Sequence, residues 1–272
     1  MIVGKSVFYL VLFLFAANPL WSFDHTHAKF DSILKKHVRK KGSASTVDYK
    51  ALRSDKKSLL IYLKTLSKVT KKQYDSFNKA QKLSFLINAY NGFTLQLIID
   101  HYPVKSIKKI GGIFTSPWSL DFFTLLEQKT TLSHIEHEIL RKDFNEPRIH
   151  FAINCASIGC PALQPYAYRA DGLEKTLQRA TKEFMKDGKR NFYVRKNKEL
   201  HVSRIFKWFG EDFEKKHGSL ESFLASHLGK NSDDKKTIRE QKASLNWTDY
   251  NWDLNESVST KGNESLRNTG SN

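Results

Sequence analysis

The chain is poor in residues that staple or punctuate a fold: two cysteines, two methionines and six prolines in 272 residues. Two cysteines exclude a disulfide-dense scaffold. They also argue against a structural zinc site, because the single pair is spaced C-x4-C rather than C-x2-C and no second pair exists. No metal and no cofactor is expected. Acidic residues are scarce, 28 against 45 lysines and arginines, leaving a formal net charge of +17. Such a balance favours anionic surfaces, and an anionic cell-envelope component is the partner class that fits. The basic residues are scattered rather than gathered in one arm with interleaved aromatics, and nucleic acid is not expected as a partner. Internal repeats are absent, and beyond the first 22 residues no apolar run is long enough to cross a bilayer.

Those first 22 residues fit an export signal. Lys5 supplies the charged start, residues 7–17 the apolar stretch, and small Ser22 the residue before a cut. The mature chain is therefore expected to begin near Phe23 and to work outside the cytoplasm, periplasmic or secreted. At the other end, residues 256–272 are rich in Ser, Asn, Gly and Lys and are expected to form a disordered polar tail. Residues 23–255 are expected to fold as one domain.

Apolar positions 30, 33, 34 and 38 predict a helix that Gly42 ends. Residues 50–70 and 74–100 also read as helices. The second is apolar nearly all round, through Leu83, Phe85, Leu86, Ile87, Tyr90 and Phe93, and so should be buried. Residues 104–131 read as loop and short strands. Ser133, three residues before Glu136, has the spacing of a capping box at the head of a helix over 131–144. The apolar run 148–154 reads as a strand. Asp171 is placed to cap a helix over 172–185 that Gly188 terminates. Residues 191–194 and 200–203 read as a hairpin, 206–213 as helix, and 245–254 as a last aromatic strand. The sum is an α+β fold, with N-terminal helices packed on a small mixed or antiparallel sheet.

Both cysteines lie in the turn that follows the run 148–154, in Asn154-Cys155-Ala156-Ser157-Ile158-Gly159-Cys160-Pro161. Such a turn is a common place to build a site. Three readings of the pair stand open: a Cys155–Cys160 disulfide, two buried thiols, or a nucleophile at Cys155. A nucleophile needs a base, and His134, His137 and His150 are near in sequence. Glu136 falls inside the stripe Leu132, Ile135, Ile139, Leu140. A carboxylate there needs a partner, with Arg141, Arg148 or a histidine as candidates. Asn88 and Asn91 share a face of the most apolar helix and must be hydrogen-bonded, either to hold the turn or to bind substrate. Asn154, Arg141 and Lys207 complete the set of candidate binding residues.

Several stretches occur together in a characteristic order. They are Val47-Asp48-Tyr49, Phe85-Leu86-Ile87-Asn88-Ala89-Tyr90-Asn91, Ile135-Glu136-His137-Glu138-Ile139-Leu140-Arg141, Arg148 to Pro161, Ser203-Arg204-Ile205-Phe206-Lys207-Trp208-Phe209 and Trp252-Asp253-Leu254-Asn255. In this the chain resembles the "domain of unknown function 547" family of bacterial and plant proteins. The resemblance implies a shared fold and polar cluster, without an established reaction. Its bacterial members often look exported. Its intracellular plant members carry the same cysteine pair, which weakens a purely disulfide account.

Two functions follow from these residues. One is a thiol-dependent hydrolase or acyl transferase. Cys155 would be its nucleophile and His137 or His150 its proton carrier. Glu136 would orient the imidazole, and Asn88 or Asn154 would serve the oxyanion. The other is a non-catalytic envelope-binding domain with a Cys155–Cys160 bridge.

Overall fold

The computed structural model describes residues 22–112 and 114–257. The expected signal up to residue 21 and the tail from 258 onward lie outside the described residues. The fold is α+β. Helix α1 (Ala28–His37) runs directly into a hairpin of β1 (Val38–Lys41) and β2 (Ala44–Val47). Gly42, at φ +61°, belongs to the hairpin turn; the helix ends earlier, where Val38 becomes extended. The expected helix over 50–70 breaks at Asp55 into α2 (Tyr49–Ser54) and α3 (Lys56–Ser67), with the Asp55 carboxylate gathering donors from Lys36 and Ser58. The region read as 74–100 is likewise two helices, α4 (Lys71–Ser76) and α5 (Lys79–Asp100). Each begins with its own capping box, Thr70 with Gln73 and Asn78 with Gln81, and a cap residue held extended interrupts the helix.

Helix α5 is buried continuously from Leu83 to Leu95, as its composition demands. After it come the antiparallel pair β3 (Phe123–Leu125) and β4 (Gln128–Thr130). The expected helix over 131–144 is wound as a π-helical segment, His134–Leu140, continued by α6 (Arg141–Asp143). Ser133 makes no cap; the Thr131 hydroxyl does, accepting from the His134 N–H at 2.9 Å.

The run 148–154 is not a strand. Pro147–Phe151 is a 3-10 helix, started by Pro147 and by the Glu146 carboxylate, which accepts from the Arg148 N–H. The apolar pattern that mimicked a buried strand arises because the segment lies between two cores. Ile149, Ala152 and Ile153 belong to the cluster around α5, whereas Phe151 belongs to a second cluster of phenylalanines. A tight helical turn can feed side chains to opposite sides at this spacing.

Helix α7 (Leu173–Met185) begins behind Gly172 at φ +75°, without a side-chain cap from Asp171, and ends before Gly188. The hairpin of β5 (Phe192–Val194) and β6 (Glu199–Ser203) forms as the alternation predicts. Then come α8 (Ile205–His217), α9 (Leu220–Leu228) and α10 (Ser232–Arg239); the last two are not foreseen in the sequence. Strand β7 (Ser244–Thr248) joins β6 in parallel, giving a small mixed sheet. It stops short of Tyr250 and Trp252, which lie on the loop beyond.

Candidate functional site

The turn after Phe151 is pinned by asparagines. Asn91 on α5 donates to the Ala152 carbonyl at 2.9 Å and accepts from the Asn154 N–H at 2.8 Å. Asn154 donates to the Pro161 carbonyl at 2.8 Å and accepts from the Ala156 N–H at 2.8 Å. That last bond supports Ala156 at φ +61°, a left-handed conformation costing about 1 kcal/mol outside glycine. Asn88 grips the backbone of Tyr168 from both ends of its amide. All three asparagines are therefore committed to main chain. Lys207 is exposed and lies outside the cavity lining.

The turn brings both thiols to a cavity of about 210 Å³. The disulfide weighed from the sequence is not formed; Cys155 and Cys160 are free. Their sulfurs form a closed group with two hydroxyls. Cys160 Sγ is reached by the Cys155 N–H at 3.1 Å, the Ser157 hydroxyl at 3.3 Å and the Tyr250 hydroxyl at 3.2 Å. Cys155 Sγ lies 3.4 Å from the Ser157 hydroxyl and 3.3 Å from that of Tyr250. The backbone N–H can only donate, so the negative charge of the pair belongs on Cys160. Burial opposes that thiolate, but the thiol of Cys155 and the hydroxyls of Ser157 and Tyr250 outweigh it and bring Cys160 down to about 6. The hydrogen bond to Cys160, followed by burial, pushes Cys155 well up. Gly159 is needed here: a Cβ would lie 2.8 Å from the Tyr250 ring, which closes over the turn.

Glu136, His137 and His150 reach the same cavity. Glu136 is buried, as its place in the apolar stripe predicts. Its hydrogen-bond partner is the Tyr90 hydroxyl, whereas Arg148 pairs with Glu146 and Glu174. Burial raises Glu136 to about 7, against the hydrogen bond from Tyr90 and the charge of Arg141. His150 stacks on Phe209, with ring centroids 4.0 Å apart, and its Nε2 lies 2.8 Å from Asp212 Oδ2. Asp212 also takes the Arg141 Nε–H at 2.6 Å. Although burial opposes its charge, the bonds from His150 and Arg141 hold it at about 2. The carboxylate fixes the proton on His150 Nε2, leaving Nδ1 an acceptor without a partner, 4.0 Å from Glu136 Oε1. Burial lowers the pKa of His150 despite Asp212, so the ring is neutral. His137 Nδ1 accepts from Arg141 at 3.1 Å; Arg141 itself opens on a neighbouring cavity. His134 lines a different cavity.

The aromatic wall is Trp118, Trp208, Phe209, Tyr250 and Trp252; the sequence places Trp208 beside Lys207 as a residue that could line the cleft, but it missed Asp212 and the other four. Asp212 had a signal: it follows Phe209 by three on a helix whose apolar face includes Phe206, Phe209 and Phe213, as Glu136 does in its own stripe. The wall had only a partial signal, Trp208-Phe209 and Trp252 in the characteristic stretches, because its members come from three separated segments.

Residues 74–185 match a family described as "Protein of unknown function, DUF547". The match includes both thiols, Glu136, His137 and His150, and ends before Asp212 and Tyr250. No curated protein and no solved structure matches the chain.

Proposed function

The chain belongs to the DUF547 family, and we propose that it is an exported thiol-dependent hydrolase or acyl transferase with Cys160, rather than Cys155, as the nucleophile. One observation carries this reading: a backbone N–H and two hydroxyls converge on Cys160 Sγ at 3.1–3.3 Å. A thiolate at neutral pH beside an apolar cavity is what acyl transfer needs.

The Cys160 thiolate attacks the carbonyl carbon of an ester or thioester, forming a C–S bond and an oxyanion. The oxyanion collapses, and the leaving oxygen or sulfur takes the proton of Glu136. A carboxyl near 7 suits a group that is first acid and then base. In the second half, water or an acceptor alcohol gives its proton to Glu136 as its oxygen attacks the thioester. The acyl product leaves and the thiolate returns. His150 is a positioning residue in this scheme: Asp212 and Phe209 fix its ring beside the carboxyl, with Nδ1 4.0 Å from Glu136 Oε1, and it carries no proton.

The test is alkylation by iodoacetamide across pH, with mass-spectrometric assignment of the labelled cysteine. Labelling should rise through about pH 6 and fall on Cys160. The C160S variant should lose both this labelling and any thioester hydrolysis. If labelling begins only near the ordinary thiol range, about pH 8 and above, the nucleophile reading is wrong.

A further inference from the structure

Five large apolar side chains are exposed among the described residues; one of them, Trp208, lines this cavity, and two more, Ile158 and Phe114, lie on chain segments that also supply its lining residues. Trp208, 41% exposed, is part of its wall. Ile158, 50% exposed, is held beside Trp252 by its N–H to the Asp253 carbonyl at 2.9 Å. Phe114, 98% exposed, lies on the tight turn bridged between Gly112 and Thr115, four residues before Trp118. The wall links these positions, since Trp252 contacts both Trp118 and Trp208, with ring centroids 5.8 and 5.7 Å apart. Singly scattered apolar residues need no explanation; exposed apolar residues on the segments that build an apolar cavity do.

Cations accompany the same segments. Lys108 Nζ stands 4.6 Å over the Trp252 ring, and Lys105, Lys109 and Lys207 are exposed nearby in sequence. Arg204 is the fifth. Four acids lie on the same segments, Asp121, Glu211, Asp253 and Asp249, the last 3.9 Å from Arg204. Aromatic and aliphatic tips set among lysines are the composition of a surface that rests in the headgroup layer of an anionic bilayer.

We infer that this rim docks the protein on a bilayer bearing anionic headgroups, and that the acyl group offered to Cys160 is a lipid chain entering from that bilayer. The docking stands on the rim alone; only the substrate class rests on the thiol reading. Phe114 and Lys109 lie outside the turn that holds the thiols and outside the cavity lining, so their variants separate the two.

The test is co-sedimentation of the exported full chain with vesicles of equal parts phosphatidylcholine and phosphatidylglycerol, against pure phosphatidylcholine. Binding is expected only to the mixed vesicles. The F114S variant, at a position 98% exposed, should weaken it about tenfold, and F114S/I158S further. K108E/K109E should weaken it in low salt. The C160S variant should bind like the parent, whatever alkylation says of catalysis. Equal binding by F114S, equal binding to pure phosphatidylcholine, or equally tight binding to a soluble polyanion such as dextran sulfate that F114S does not change would overturn the docking inference. Should docking hold while short-chain and long-chain lipid thioesters are cleaved alike, the lipid-chain assignment fails.

Discussion

Glu136 and Asp212 are two buried carboxyls facing one imidazole, and their surroundings drive them apart: burial raises Glu136, while Arg141 and the His150 N–H hold Asp212 down. Such divergence is what lets one site hold an acid and an anion at the same pH. It also couples Glu136 to stability. Its folded pKa, about 7, lies above the ordinary 4.5, so its contribution is fully present below 4.5 and is lost as pH rises through 7. The E136Q variant keeps the neutral shape at every pH. Relative to the parent it should change little at pH 4.5 and gain on the order of 3 kcal/mol at pH 8. Chemical denaturation of both proteins at the two pH values measures this; a pH-independent difference would show that Glu136 is not held neutral by burial. Glu136 was legible because one polar residue in an apolar stripe is visible at helical spacing. Its partner was not, since Tyr90 looks like any core aromatic until the fold brings α5 alongside.

At the scale of elements, the turn from Asn154 to Pro161 holds the thiols, and three side chains keep its shape: Asn91 below, Asn154 within, Tyr250 above. The asparagines were read correctly as needing partners. Their partners are main chain because the segment they hold is irregular and its buried backbone groups need bonds that no strand supplies. The strand reading of 148–154 failed for the same reason: a short apolar run cannot be told from a helical turn between two cores by its pattern alone. Gly159 gives a direct test of the roof. In the G159A variant the Cβ meets the Tyr250 ring, the hydroxyl is driven off the sulfurs, and Cys160 loses one of its donors. A hydrogen bond to a charged group contributes about 1.5–3 kcal/mol, so the alkylation profile should move up by about one pH unit or more. An unmoved profile would mean that Tyr250 does not hold the thiolate.

For the whole molecule, the α+β class and the buried central helix followed from composition and periodicity, whereas the bonded segment after Asn255 did not. Polar composition predicts that everything after Asn255 is dispensable. Yet the chain continues as a bonded segment for two more residues. Val47 donates its N–H to the Asn255 carbonyl at 2.8 Å and accepts from the Ser257 N–H at 2.9 Å, and Glu256 takes the Tyr102 hydroxyl. These bonds tie the end of the described chain to β2, next to the buried Tyr49 hydroxyl, which donates to Asn255 Oδ1 at 2.7 Å. A residue's polarity says nothing of a backbone bond, so no compositional reading could mark this limit. Truncation after Ser257 should leave stability within about 0.5 kcal/mol of the full chain. Truncation after Asn255 removes the Ser257 and Glu256 bonds and should cost about 1–3 kcal/mol. Truncation after Asp253 also takes buried Leu254 and strands the Tyr49 hydroxyl, and should cost clearly more. Thermal and denaturant unfolding of the three truncated chains gives the order, and equal stability of the first two would return the boundary to Asn255.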